Sequence, residues 1–551
     1  MRTLALMVSL LALFVYGRRV RLTEKPRLRE EPLKSQKATS LKVLELVLLA
    51  FHPAAGWHGA LKIGRPVGGP LLQPRTRCPD VPMQALSSET LTGECEEIDE
   101  TGACVLSEEE KPADPGAKNV FGEMSSIARK LGADGVDLGQ GFPDFDPPQF
   151  VVEALREELE GCTQGQVRLT HQYTRTAGYP PLVQGIAARY SQHLERTIDP
   201  MAEVTITCGC TGALFLSLQT ALDQAAPGCD EVVVLEPFFE LYRAQARGLK
   251  AKLRTVPLRF DTVTSSFTLD IELLSRAIGP QTAALIVNTP NNPAGKAFEQ
   301  SELEAIADLV KEHPHVVVIS DEVYKYMIFD PPSRGQKQID AEQSISAPLG
   351  HVHFAALPGM WDRTITVSSA GKTFGITGWQ VGWAIGPKKW LEPMQRYIPN
   401  LQFCAPTLMQ RALTKVLKQA DQPFRGSTSY YTWLREDYAA RGKRMVSALQ
   451  DAGIPAVQAQ GGFFLLADIS KVCGISGPLG DVWDEASLPG EPRDWTFCRA
   501  MAKKLGIVAL PVSPFFGPDS PSYVRTRFVR FCFAKTDSTL DRAAERLQRL
   551  R

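Results

Sequence analysis

The chain has 551 residues, of which 44% are apolar and 22% charged, and its formal net charge is zero. This length exceeds what one compact core usually holds, so we expect two or more domains. The balanced charge argues against a nucleic-acid-binding protein, because such proteins usually carry a strong basic excess. The eleven cysteines form no C-x-x-C pair, and no H-E-x-x-H sequence is present. We therefore expect free thiols in a reducing compartment and no catalytic metal.

The N-terminal part of the chain differs from the rest. An apolar stretch at 4–16 precedes a basic cluster, and a second apolar patch at 43–51 contains Glu45. Both are too short for a stable membrane span. We expect residues 1–116 to be a targeting or poorly ordered extension, or the product of an imperfect gene model. The expected location is the cytoplasm, or a mitochondrion or another organelle reached through this extension.

The central part of the chain, from about residue 165 to residue 400, alternates strand-like and helix-like segments. The strand-like runs are rich in Val, Ile and Leu without polar alternation, which is typical of strands covered on both faces. This pattern predicts an α/β fold with a mostly parallel, doubly wound sheet. The predicted strands are 204–207, 232–235, 283–288, 316–320 and 364–367, and the predicted helices are 121–131, 211–222 and 300–311. Strands at 463–466 and 528–533, among amphipathic helices, predict a second, smaller α+β domain.

Polar, small or aromatic residues follow each of the five central strands, where ligands bind on such sheets. The turn at 208–211 opens a helix, whose free N–H groups attract anions such as phosphate. Asp321 ends an apolar strand, and burying its carboxylate is costly unless a cation faces it. Asn292 offers a loop amide, and Lys372 offers an amine. Each feature alone has an ordinary explanation as a turn, a helix cap or a surface lysine.

Taken together, these strand ends supply an anion cradle, a carboxylate, an amide and an amine. Pyridoxal phosphate needs such groups for its phosphate, ring nitrogen, phenolate oxygen and aldehyde. The joint pattern therefore predicts a pyridoxal-phosphate site in which Lys372 adds to the aldehyde. A dinucleotide-binding enzyme is disfavoured, because no G-x-G-x-x-G sequence opens the first strand–helix turn.

From about residue 119 to residue 551, the chain resembles the fold-type I, class I/II aminotransferases. It is most similar to the group of kynurenine aminotransferases and cysteine-conjugate β-lyases. The matching stretches are 138–145, 172–182, 236–239, 288–293, 320–324, 369–374, 378–383 and 530–533. The resemblance implies that 117–164 begins the smaller domain, 165–400 forms the larger cofactor-binding domain, and 401–551 completes the smaller one. The extension before residue 116 has no counterpart in it.

The resemblance also implies which residues hold the cofactor. Lys372 would carry it and move a proton during catalysis, with Asp321 at the pyridine nitrogen and Tyr324 at the phenolate. The further cofactor contacts would be Cys210, Thr211 and Ser369 at the phosphate, Phe239 against the ring and Asn292 at the phenolate. Lys372, Asp321 and Tyr324 are thus the predicted catalytic residues.

The substrate contacts follow in the same way. Arg530 would take the substrate α-carboxylate as a bidentate pair, with Gly141 and Asn292 lining the same pocket. Tyr173 and Phe403 match positions that reach into the partner subunit's site, which implies a homodimer.

Four positions depart from the family pattern. Gln380 stands where the family usually has a basic residue that contacts the phosphate, so cofactor binding is expected to be weaker. Cys210 and Thr211 replace a glycine and a tyrosine that are typical of the kynurenine enzymes. Cys404 occupies the place of a frequent active-site histidine. The substrate preference of that group therefore does not transfer directly.

The predicted function is transamination between an L-amino acid, of kynurenine, glutamine, methionine or aromatic type, and a 2-oxo acid. Two alternatives remain. One is β-elimination from cysteine S-conjugates, which Lys372 and Arg530 would serve equally well. The other is a non-catalytic relative that keeps the fold for binding or dimerisation, which Gln380 motivates.

Overall fold

The structure, a computed structural model, describes residues 104–105, 119–163, 170–329, 348–472, 474 and 476–551. The two apolar N-terminal patches and the basic cluster lie outside these residues, and so does the rest of the expected extension apart from 104–105. Among the helices of the described ranges, none has both the length and the apolar character needed to cross a bilayer.

The strands are numbered in chain order. They are β1 Cys104–Val105, β2 Val136–Asp137, β3 Val204–Cys208, β4 Glu231–Glu236, β5 Lys252–Pro257, β6 Arg259–Asp261, β7 Ser266–Thr268, β8 Thr282–Asn288, β9 Val317–Asp321, β10 Thr364–Ser369, β11 Val381–Ile385, β12 Phe464–Asp468, β13 Ile507–Val508, β14 Leu510–Pro511 and β15 Phe528–Cys532. Each strand predicted from the sequence overlaps one of these, and the ends differ by one or two residues.

The α-helices are numbered in the same way. They are α1 Val120–Leu131, α2 Gln149–Thr163, α3 Pro180–His193, α4 Gly209–Gln224, α5 Leu241–Gly248, α6 Ile271–Ala277, α7 Gln300–Glu312, α8 Ala370–Phe374, α9 Lys388–Leu401, α10 Thr407–Ala420, α11 Tyr430–Asp451, α12 Gly480–Ala486, α13 Arg493–Leu505, α14 Ser522–Arg525 and α15 Asp537–Leu547.

An eight-stranded sheet with the order β1-β5-β4-β8-β9-β10-β11-β3 forms the centre of the fold. The five neighbouring strands β5, β4, β8, β9 and β10 run parallel to one another. Strand β11 is antiparallel to both of its neighbours, and β1 is antiparallel to β5. The predicted α/β class and the mostly parallel sheet are therefore confirmed.

Burial on both faces explains the continuous apolar runs of the central strands. All residues of β4, β8, β9, β10 and β11 are buried. Successive side chains of a strand point to opposite faces, and Val233 accordingly joins one apolar cluster while Val232 and Val234 join another. Helices must therefore cover both faces of this sheet.

A smaller three-stranded sheet, with the order β12-β15-β14, lies in the C-terminal part of the chain. A separate two-stranded sheet, β13-β2, links the segment 119–163 to the C-terminal part, with Val136 opposite Ile507. Helix α2 also packs against α10. The segment 119–163 is thus attached to the C-terminal part, while the exact domain boundaries stay a prediction.

The approach of β11 to the turn after β3 leaves no room for a side chain at Gly382. A Cβ atom at this position would lie 2.3 Å from the carbonyl carbon of Gly209. An alanine at position 382 would therefore fit only if the backbone at Gly209 or at β11 moved, because no flexible side chain could give way instead.

We expect Gly382→Ala to lower the free energy of unfolding by about 1–3 kcal/mol or more, as overpacking does. The measurement is the denaturant midpoint of the full chain. Gly378→Ala is the matched control, because a Cβ atom there meets nothing within 4 Å. Equal midpoints for the two variants would contradict the close approach.

Candidate active site

A cavity of about 350 Å³ lies at the carboxyl ends of the parallel strands. Parallel strands end at the same edge of a sheet, so residues far apart in sequence meet there. The predicted site residues that line it are Gly141, Cys210, Thr211, Phe239, Asn292, Asp321, Tyr324, Ser369, Lys372 and Arg530. The structure therefore brings together all the predicted site residues except Tyr173.

Tyr173 lies away from this cavity in the single chain. Its side chain is 74% exposed, and its ring centroid is 4.4 Å from that of Phe403, which is 48% exposed. Two large rings thus stand together at the surface. Their predicted contact with a partner subunit stays a prediction.

Lys372 is delivered by the short helix α8, which begins directly after β10. Its Nζ donates to the carbonyl oxygen of Gly141 at 2.7 Å. Desolvation by the surrounding protein, helped by the charge of Arg530, lowers the pKa of the Lys372 amine to about 8. A sizeable neutral fraction is therefore present near neutral pH, as a nucleophilic or basic amine requires.

Asp321 is the last residue of β9, and it is buried. Burial raises the pKa of its carboxyl to about 6, although the hydroxyl of Tyr242 donates to it at 2.7 Å and works in the opposite direction. Cys210 Sγ lies 3.9 Å away. Within the described residues no Lys, Arg or His nitrogen forms an ion pair with this carboxylate. The carboxylate is thus ready to pair with a positively charged group in the cavity.

Tyr242 is a site residue that the sequence analysis did not identify. It lies in α5, and its side chain is buried. The aromatic residues after β4 predict stacking on a planar ring, and nothing in their pattern indicates a role for a hydroxyl group. Only the packing of α5 against the sheet places this hydroxyl on Asp321.

Arg530 extends from β15 into the cavity and is almost fully buried. Its Nη1 donates to Asn292 Oδ1 at 3.0 Å and its Nη2 to the carbonyl oxygen of Gly139 at 2.8 Å. Its guanidinium carbon lies 4.1 Å from the ring centroid of Phe464. Burial lowers the pKa of Arg530 to about 10, so the group stays charged at neutral pH. Among the described residues, no carboxylate lies within ion-pair distance of its guanidinium.

The corner of the cavity at the start of α4 has the features of an anion site. Cys210 and Thr211 lie in the first helical turn, where backbone N–H groups lack intrahelical partners. Ser369 lines the same cavity. Gln380 is exposed, and its Nε2 donates to the carbonyl oxygen of Thr377 at 2.6 Å. This corner thus offers neutral donors and a helix start. Among the described residues that line the cavity, the cations are Lys372 and Arg530, which donate to Gly141 and Asn292.

The family model described as aminotransferase class I and II matches residues 133–547. Kynurenine–oxoglutarate transaminase 1 of Homo sapiens is 37% identical over 426 residues, 76% of this chain and 92% of that protein. Kynurenine–oxoglutarate transaminase 3 of Bos taurus is 36% identical over 444 residues, 78% of this chain and 89% of that protein.

Solved structures agree with these matches. N-succinyldiaminopimelate aminotransferase from Mycobacterium tuberculosis is 33% identical with a TM-score of 0.65, covering 79% of this chain and 98% of that one. YbdL from Escherichia coli, a methionine aminotransferase, is 26% identical with a TM-score of 0.64, covering 80% and 100%.

The sheet and the cavity at its edge are those of a fold-type I transferase. The chain belongs to the class I and II aminotransferases. It is therefore an enzyme that exchanges amino groups between amino acids and 2-oxo acids.

The lowered pKa of Lys372 predicts how its reactivity depends on pH. The neutral amine gains in population as the pH rises, so its rate of reaction with added pyridoxal phosphate should reach half its maximum near pH 8. The measurement is the initial rate of visible absorbance change, with the cofactor-free full chain, between pH 6.5 and 9.5. Arg530→Gln removes a nearby positive charge and should move the midpoint upward. A wild-type midpoint near the ordinary lysine value would contradict this assignment.

Proposed function

We propose that this chain is a pyridoxal-phosphate-dependent transaminase acting on L-amino acids of kynurenine, glutamine, methionine or aromatic type. One observation carries the proposal. Lys372, Asp321 and Arg530 share one cavity, and none of them has an opposite charge in ion-pair distance among the described residues. Leaving charges buried without partners is costly. Complementary groups of a bound molecule would supply the missing partners.

The residues that line the cavity fit pyridoxal phosphate at four points. Asp321 would pair with the ring nitrogen, and the start of α4 with Ser369 would hold the phosphate. Phe239 would lie against the ring, and Tyr324 and Asn292 would contact the phenolate oxygen. When bound, this cofactor supplies the electron sink that stabilises negative charge at the substrate Cα.

The remaining groups of the cavity would bind the substrate and move its proton. Arg530 would hold the α-carboxylate through its planar guanidinium, whose orientation Asn292 and Gly139 fix. The neutral amine of Lys372 would take the proton from Cα and return it elsewhere on the bound molecule. Kynurenine–oxoglutarate relatives at 37% identity support an amino donor of this type.

The assembly and the location are proposals as well. The exposed pair Tyr173 and Phe403 supports a homodimer in which these rings contact the partner subunit, because exposed aromatic pairs often mark interfaces. Residues 1–116 would direct the enzyme to a mitochondrion or another organelle, with the cytoplasm as the alternative.

The catalytic proposal is tested by cofactor absorbance and a donor panel. Wild type should gain a visible band with pyridoxal phosphate and transfer amino groups to 2-oxo acids. Lys372→Ala should lose the band and at least 10³-fold of the rate, since it removes both nucleophile and base. Release of pyruvate from a cysteine S-conjugate, without keto-acid exchange, would instead favour β-elimination. The absence of a band in wild type would refute the proposal.

The neutral phosphate corner yields a separate prediction about affinity. Gln380→Lys adds a charge-assisted bond to the phosphate, so the Kd for pyridoxal phosphate should fall about tenfold. The measurement is a titration of the cofactor-free protein followed by absorbance.

Gln380→Met, which is neutral and similar in length, is the control and should not tighten binding. Pyridoxal without the phosphate should bind wild type and Gln380→Lys equally. Tighter binding of both ligands by the lysine variant would mean that its effect does not act through the phosphate.

A further inference from the structure

The turn that follows β9 presents side chains to two different environments. Asp321 and Tyr324 line the cavity. Glu322 and Lys325, which alternate with them along the chain, are 0% and 1% exposed and lie outside that lining. The buried residues Glu322 and Lys325, which have no role in the proposed reaction, thus each follow directly after a residue that has one.

Glu322 is held by donors from two separate segments. His353 Nδ1 donates to its Oε2 at 2.6 Å, and Ser320 Oγ donates to its Oε1 at 2.9 Å. His351 Nε2 lies 3.2 Å from the same Oε2, in contact but outside hydrogen-bond alignment. Burial disfavours the charged carboxyl, yet the two imidazoles outweigh it and hold the pKa of Glu322 well below its usual range. Glu322 is therefore a buried anion that fastens the 351–353 segment to the end of β9.

Lys325 fastens the other half of the turn. Its Nζ donates to the hydroxyl of Tyr190 in α3 and lies 4.0 Å from the centre of that ring. Trp383 Nε1 in β11 donates to the same hydroxyl at 3.3 Å. Tyr190 thus joins the turn to a helix and to a strand of the central sheet.

The main chain of Glu322 is also connected to the strand that delivers the amine. Its N–H donates to the carbonyl oxygen of Val367 at 3.0 Å. Its own carbonyl oxygen accepts from Ser368 Oγ at 3.4 Å and from the N–H of Lys325 at 3.2 Å. Residue 322 therefore couples the turn to β10, four residues before Lys372.

We propose that Glu322 and Lys325 are positioning residues that fix Asp321 and Tyr324 against the cofactor by anchoring alternate residues of one turn. This inference rests on the proposed function, because Asp321 and Tyr324 need exact positions only if the cavity binds the cofactor. Neither residue touches the cavity. Glu322 acts through Asp321, and Lys325 acts through Tyr324. Once Glu322 and Lys325 are anchored, the backbone between them has little freedom to reorient the two cavity side chains.

The test compares two conservative variants with a buried control. Glu322→Gln keeps the shape and removes the charge, and Lys325→Met does the same at the second anchor. Both should raise the Kd for pyridoxal phosphate by about tenfold to a hundredfold, as small misplacements of site groups do. They should lower kcat while leaving KM for the amino donor within about twofold, because Arg530 is not displaced.

Glu231→Gln is the matched control. Glu231 is 3% exposed and contacts Arg254 at 3.4 Å, but it lies at the opposite end of β4 from the cavity. It should lose stability without any change in Kd. All measurements use the full chain at a temperature where circular dichroism shows each variant folded. Lys325→Arg, which keeps the charge, should recover most of the affinity.

Three outcomes would overturn the inference. Glu322→Gln could bind the cofactor as wild type does, or it could resemble Glu231→Gln in losing stability alone. One side-chain atom each of Glu322, His351 and His353 that could ligate a metal also lies within 4.8 Å of the other two. Stoichiometric zinc in the desalted wild type that is lost in His351→Asn would mean that a metal holds this segment. A wild type without a visible band would refute the proposed function instead.

Discussion

Ionisable groups that share one cavity without an ion-pair partner among the described residues are the constraint on which this structure depends. Desolvation pulls the pKa of Lys372 down and that of Asp321 up, so both groups move toward neutrality near physiological pH. Arg530 stays charged because its ordinary pKa is so high. A fold that keeps three such groups together sacrifices stability that apolar residues would provide. The shortfall is recovered when a ligand with complementary charges binds.

The sheet makes this arrangement possible by bringing distant segments to one edge. Asn288, Asp321 and Val367 are in register across β8, β9 and β10, so the residues after them converge. Among the strands that border the cavity, β11 runs the other way, so its beginning, not its end, lies at this edge. Gln380 therefore faces the site although it precedes a strand. The contact of Gly382 with the turn at Gly209 is a direct consequence of that reversal.

Much of this could be read from the sequence, for a physical reason. A strand that is buried on both faces has a continuous apolar sequence. The residues that follow parallel strands of this kind lie at the same edge of the sheet, however the helices pack. Lys372 and Asp321 were predictable on that basis. The hydroxyl of Tyr242 was not, since its position depends on how α5 packs. His353 was not either, because its contact with Glu322 joins segments that no local pattern connects.

The short strand β1 has a consequence for association between molecules. Cys104 and Val105 pair with Thr255 and Arg254 on β5, which would otherwise be the edge of the sheet. An uncovered edge presents free N–H and C=O groups and is a template for pairing with another chain. The outermost strand on this side of the sheet is therefore only two residues long, and a very short edge strand is a poor template for pairing with another chain.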